Sequence, residues 1–172
     1  MGNVYFLSQQ EAERLAPVSS AAMISITDPD KPLAQLGQWD YLLRESFYDG
    51  GYSRETIHTM KESFPFKYAS YIDSEQAQRL VAFLDCLIQQ GVREIYVHCY
   101  YGRSRSGAVA MFLRDKYGFT PNKEIDRPNR TVYKMLQNPQ RYDELIACYA
   151  KKATIVPGAT SFIGKLRAFL GL

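Results

Sequence analysis

The residues best suited to chemistry lie in one run, His98-Cys99-Tyr100-Tyr101-Gly102-Arg103-Ser104-Arg105-Ser106. The apolar run before it, Glu94–His98, reads as a buried strand, and Ser106–Lys116 reads as a helix. The tight loop between them aims backbone N–H groups at one point, and the helix N-terminus adds the positive end of a dipole. Such a cradle holds anions. Gly102 lets the backbone bend where a Cβ would obstruct it. A cysteine at the start of the cradle is stabilised as the thiolate by the same N–H groups and dipole. Arg105 returns across the cradle with a planar fork able to hold two oxygens of an oxyanion. The pattern therefore combines an activated sulfur nucleophile with a clamp for a phosphoryl group.

The elements that must position this loop follow from periodicity. Val4–Leu7, Met23–Thr27 and Tyr41–Tyr48 read as strands, with Gln9–Leu15 a short helix and Asp30–Gln38 a surface loop. Ser53–Ser63 reads as a short helix broken before Pro65. Asp73 or Ser74 caps a helix whose apolar residues Ala77, Leu80, Val81, Leu84, Leu87 and Ile88 recur at three and four, until Gly91 stops it. Asn129–Gln137 and Arg141–Lys151 read as two further helices. Strands alternating with helices predict an α/β fold: a central, mainly parallel sheet flanked by helices on both faces.

The string HCYYGRSRS resembles the HC-x5-R-S/T signature of the cysteine-dependent protein tyrosine phosphatases, and the compact chain resembles their dual-specificity branch. The order of elements extends the resemblance over residues 4–150. It implies a protein tyrosine phosphatase-like fold and a two-step reaction. Cys99 would attack phosphorus to form a cysteinyl-phosphate, and Arg105 would bind the phosphate. Ser106 would hydrogen-bond the leaving thiolate, and His98 would orient the loop. Backbone N–H groups of Tyr100, Tyr101, Gly102, Arg103, Ser104 and Arg105 would line the cradle, with one of the two tyrosines shaping its wall and the other packed beneath. No metal or other cofactor is expected, because the loop supplies the positive field.

The resemblance also calls for a general acid, an Asp on a loop after a neighbouring strand. Asp49 and Asp73 both qualify. Asp49 follows a strand and precedes Gly50-Gly51, a pair suited to a flexible loop, whereas Asp73 already reads as a helix N-cap. Asp49 is the favoured candidate and Asp73 the alternative. Asn129 and Arg130 stand either at the pocket rim or at the start of a capped helix, the cap being the simpler reading, and Asp126 reads as a solvated turn residue.

Composition narrows the partners. The chain has 172 residues, 46% hydrophobic and 23% charged, with a formal net charge of +3. That suits one globular domain, expected over 1–152, and gives no concentrated basic stripe for nucleic acid. The tail, 153–172, carries Phe162, Ile163, Leu166, Phe169 and Leu170 at helical spacing. Packing of such a helix back onto the domain is preferred over a membrane or partner contact. Cys86 and Cys148 fall on apolar helical repeats and read as core residues. Three cysteines without metal-type spacing, and an N-terminus without a basic-then-apolar leader, point to a reducing cytoplasmic setting. The expected substrate is a phosphotyrosine-containing protein. Two alternatives are an inositol phosphate or phosphoinositide, suggested by Arg103 inside the loop, and a phosphate-binding pseudophosphatase that recruits partners without turnover.

Overall fold

The computed structural model describes residues 2–154. The expected amphipathic tail helix lies outside the described residues. Five strands, β1 (Asn3–Ser8), β2 (Ala22–Thr27), β3 (Tyr41–Ser46), β4 (Glu94–Cys99) and β5 (Thr120–Pro121), form one sheet in the order β3-β2-β4-β1-β5. Every pairing is parallel. Parallel strands need crossovers, and helices supply cover for both faces.

Period-two alternation splits the core between those faces. Val4, Phe6, Ile24, Ile26, Ile95 and Val97 enter the larger cluster, and Met23 and Tyr96 enter the smaller one. Helices α4 (Ser74–Gln89), α5 (Arg105–Tyr117) and α6 (Arg130–Gln137) contribute their buried residues to the larger cluster. The smaller face is covered by Ala12 of α1 (Gln9–Arg14), Val18 of the α1–β2 connection, and Leu36 and Trp39 of the long β2–β3 connection. Tyr5 and Tyr96 stack there with ring centroids 4.6 Å apart.

This arrangement creates a crevice. The helix after β1 lies on one face, and the helix after the adjacent β4 lies on the other. In open α/β sheets such a point, at the carboxyl ends of the strands, is where ligands bind. The 99–105 loop sits there.

Several boundaries differ from expectation. The helix after Ser53 ends at Met60 (α2, Arg54–Met60), because Lys61 turns to φ 48°. A single 3-10 turn follows. Pro65 then begins a new helix, α3 (Phe64–Lys67), instead of marking the break. Pro is accommodated in a first turn, where its missing N–H leaves no bond unmade. β5 has only two residues and no periodicity to betray it; it adds to the sheet beside Asn3 and Val4. Cys86 and Cys148 are exposed, not core residues. Cys86 lies on the solvent side of α4, where Ala77, Leu80, Leu84 and Leu87 form the buried stripe. The last described helix, α7 (Asp143–Thr154), packs Ile146 and Tyr149 against the larger cluster.

Asp73 starts α4 with a full capping box. Its carboxylate accepts from Gln76 N at 2.7 Å, and the Gln76 side chain returns to Asp73 N. Gln76 Nε2 also donates to Ser46 O at 2.8 Å, which ties this helix start to the end of β3. Asp73→Ala should therefore lower unfolding free energy by about 1 kcal/mol, with Asp73→Ser recovering most of it, as read by urea denaturation.

Candidate active site

β4 delivers two adjacent side chains to opposite faces of the sheet, and this separates their roles. Cys99 continues the larger-core face of Ile95 and Val97, while His98 points to the other face. Cys99 is 1% exposed, and its Sγ lies 3.3 Å from Ser106 Oγ in the first turn of α5. His98 is fully buried, and its Nε2 pairs with Ser25 Oγ at 2.8 Å across the β2–β4 ladder. A side chain so placed cannot carry protons to or from the sulfur.

The loop is bent by necessity. Gly102 has φ +67°, and a Cβ there would lie 2.2 Å from Ser8 N and 2.3 Å from Leu7 C. The chain crosses the carboxyl end of β1 so closely that only hydrogen fits. Gln9 N donates to Tyr100 O at 3.3 Å and secures the crossing. Among the described residues, the N–H groups of Tyr101, Gly102, Arg103 and Ser104 donate to no protein acceptor. Ser104 is the N-cap of α5, yet its side chain makes no cap bond, so the first-turn N–H groups also lack one. The result is an uncapped helix end with a run of unspent donors, which is the electrostatic form of an anion site.

Arg105 is the largest fully buried side chain, at 1% exposure. Its Nη1 donates to Asp28 Oδ1 at 2.7 Å and to Phe47 O at 2.6 Å, while Nε finds no partner among the described residues. One edge of the guanidinium is therefore anchored, and a donor on another edge is buried and unspent. Buried donors are nearly always paired, so an exception marks a place for a ligand. Thr27 Oγ1, at the carboxyl end of β2, and Trp39 Nε1, in the smaller core cluster, are likewise buried without a partner among the described residues.

Asp49 lies on the segment after β3. Its Oδ1 accepts from Ser104 Oγ at 2.7 Å and from Asn129 Nδ2 at 2.9 Å. The structure thus brings Asp49 to the rim of the loop, whereas Asp73 bonds to Gln76 and has no hydrogen bond to residues 98–106. The two glycines after Asp49 also lie close against neighbouring side chains. A Cβ on Gly50 would lie 2.3 Å from Tyr71 Cε1, and one on Gly51 would lie 2.4 Å from Thr131 Oγ1. These glycines permit close approach.

Other expectations change as well. Tyr100 and Tyr101 are 52% and 74% exposed and meet edge to face at 4.8 Å. Neither packs beneath the loop. Asp126 is exposed, as expected of a solvated turn residue, and it also forms an ion pair with Arg103 that holds its carboxyl below the ordinary range. Asn129 caps α6 by accepting from Thr131 N and Val132 N, and it stands at the rim too, so the two readings of this residue coexist. Asp28 escaped the sequence reading: it follows a strand directly, but that this strand lies beside β4 is decided by the order of the sheet.

No protein-family model matches the chain, and no curated protein matches it. The chain is similar to two solved structures of Tk-PTP. The active form is 14% identical, with 88% of this chain and 91% of that chain covered and a TM-score of 0.39. A mutant form is 13% identical, with 91% and 95% covered and a TM-score of 0.37. At that distance the likeness assigns nothing to this chain. Fold and site define it as an α/β protein with a cysteine and an arginine at an uncapped helix end. No helix among the described residues is long and apolar enough to cross a membrane.

Burial of His98 has a consequence for stability. Loss of water pushes its pKa down to about 4 from an ordinary 6.5, so the folded state keeps it neutral. Between those values the unfolded chain binds a proton that the folded chain does not, and stability falls as pH falls through the window. Between pH 6.5 and 5.5, above carboxylate titration, the loss should reach about 1 kcal/mol, since each unit is worth at most about 1.4 kcal/mol. Urea midpoints across that range should decline for the native chain and stay nearly level for His98→Gln.

Proposed function

We propose that the chain is a phosphoric monoester hydrolase of the protein tyrosine phosphatase type, in the dual-specificity branch, acting on phosphotyrosine-containing proteins in the cytoplasm. The observation that carries the reading is the buried Arg105, anchored through Nη1 and left with an unpartnered Nε, beside a cysteine at an uncapped helix end.

In the first step Cys99 Sγ, as thiolate, attacks phosphorus and the bond from phosphorus to the ester oxygen breaks. Asp49 gives its proton to the departing oxygen, so the alcohol or phenol leaves neutral. Loop N–H groups and the free edge of Arg105 hold the equatorial oxygens as charge develops on them. Asp28 and the Phe47 carbonyl keep the guanidinium from turning away. In the second step water attacks phosphorus, the S–P bond breaks, and the Asp49 carboxylate takes the proton that water loses. The Ser106 hydroxyl donates to the departing sulfur, a role that its 3.3 Å separation from Sγ supports. The inositol phosphate alternative rests on Arg103, whose guanidinium forms an exposed ion pair with Asp126.

Phosphate release from a phosphotyrosine peptide, a phosphoserine peptide, an inositol phosphate and an aryl phosphate tests the reading. The native chain should release phosphate from the tyrosine and aryl esters, Cys99→Ser should release none, and Asp49→Asn should lose roughly 100-fold in kcat. Arg105→Lys should also fail, because a point charge cannot hold two oxygens in one plane. An inert native chain, or activity retained by Cys99→Ser, would overturn the assignment. Normal turnover by Asp49→Asn with loss in Asp73→Asn would transfer the acid role to Asp73.

A further inference from the structure

Asp49 does not reach the loop by itself. Asn129 is 8% exposed, and its polar atoms are engaged in three directions. Its Nδ2 donates to Asp49 Oδ1 and to Gly50 O, both at 2.9 Å. Its Oδ1 accepts from Thr131 N at 3.1 Å and Val132 N at 3.0 Å. Its backbone N donates to Ser104 O at 2.9 Å. These partners fix the orientation of the amide. Rotated by half a turn, its oxygen would face a carboxylate and a carbonyl, and its NH2 would face two N–H donors.

Asp49 Oδ1 also accepts from Ser104 Oγ at 2.7 Å. An oxygen receiving two hydrogen bonds has committed both lone pairs, so an acid proton must reside on the other oxygen. The backbone behind Asp49 is fixed by the same helix start. Thr131 Oγ1 accepts from Tyr52 N and donates to Tyr52 O, each at 3.1 Å. The 49–52 segment is thus joined to residues 129–131, and through Ser104 to the loop that holds Cys99.

We infer that Asn129 and Ser104 are positioning residues that hold the Asp49 carboxyl at the rim of the loop and confine its transferable proton to Oδ2. The inference rests on the reading of Asp49 as general acid. Neither residue touches the reacting atoms through its side chain; each acts through Asp49. Their effect should therefore scale with how much the leaving oxygen needs a proton.

Hydrolysis of two aryl phosphates tests this: phenyl phosphate, whose leaving group needs protonation, and 2,4-dinitrophenyl phosphate, whose leaving group does not. The quantity is kcat/KM, which reports phosphoryl transfer to sulfur and excludes breakdown of the intermediate. Asn129→Ser keeps a side-chain oxygen to cap α6 and removes the amide donor. Ser104→Ala leaves the α6 cap untouched, so it serves if the first variant fails to fold. Each should lose on the order of tenfold or more with phenyl phosphate and less than about threefold with the dinitrophenyl ester. Equal losses on both esters would mean a merely structural role, and equal retention would mean none; either overturns the inference. A native chain that hydrolyses neither ester removes the phosphatase reading and the inference with it. A native chain that hydrolyses both, while Asp49→Asn loses equally on both, removes only the acid assignment and what is built on it.

Discussion

A guanidinium stripped of water dictates much of this architecture. Arg105 is enclosed in the first turn of α5 and cannot lose its proton, so its charge must be met inside the protein. Asp28 supplies the opposite charge, and the Phe47 carbonyl supplies a second acceptor. Those two groups follow β2 and β3. The strand order that places β2 beside β4, with β3 beyond it, is what brings them to the arginine. Both partners hold Nη1, and neither satisfies Nε. The same contacts that stabilise the charge also orient it, leaving a donor with nothing in the protein to receive it.

The rest of the site repeats this pattern of anchoring one side and leaving the other unspent. The loop crosses β1 so tightly that residue 102 must be glycine, and its amides are thereby turned away from the sheet's own acceptors. α5 begins without a side-chain cap, although Ser104 is a residue that could provide one, because its backbone is helical (φ −88°, ψ −75°) where a capping residue is extended. Its hydroxyl instead donates to Asp49, 55 residues away in sequence. Local rules that fail in this way, while the surrounding structure obeys them, are a mark of functional sites.

Much of the frame was legible before any coordinates. The alternation of β1, β2 and β4 and the three-four repeat of α4 express the hydrophobic effect directly, and the Asp73 box and Asn129 cap are local in sequence. Elements without a strong period were not legible. β5 has two residues, and α3 begins at a position where proline reads equally as a break. The two exposed cysteines were misread because an apolar repeat does not reveal where its stripe ends. The glycines after Asp49 read as freedom alone, because a glycine in sequence does not disclose the close approach of the Tyr71 ring and the Thr131 hydroxyl.

By itself the sequence determined the chemistry available at one point: a cysteine at the end of a buried strand, a glycine-bearing turn, and an arginine and a serine opening a helix. Those residues are neighbours along the chain, so their spacing carries their geometry. Only the tertiary structure decided what surrounds them. Asp28, the Phe47–Asp49 segment and Asn129 come from three separate stretches, and they meet because parallel strands present all their carboxyl ends along one edge. A contact between residues 77 apart, such as Arg105 with Asp28, has no local signature. It exists because the sheet closed in one order, and that order depends on the packing of the whole core.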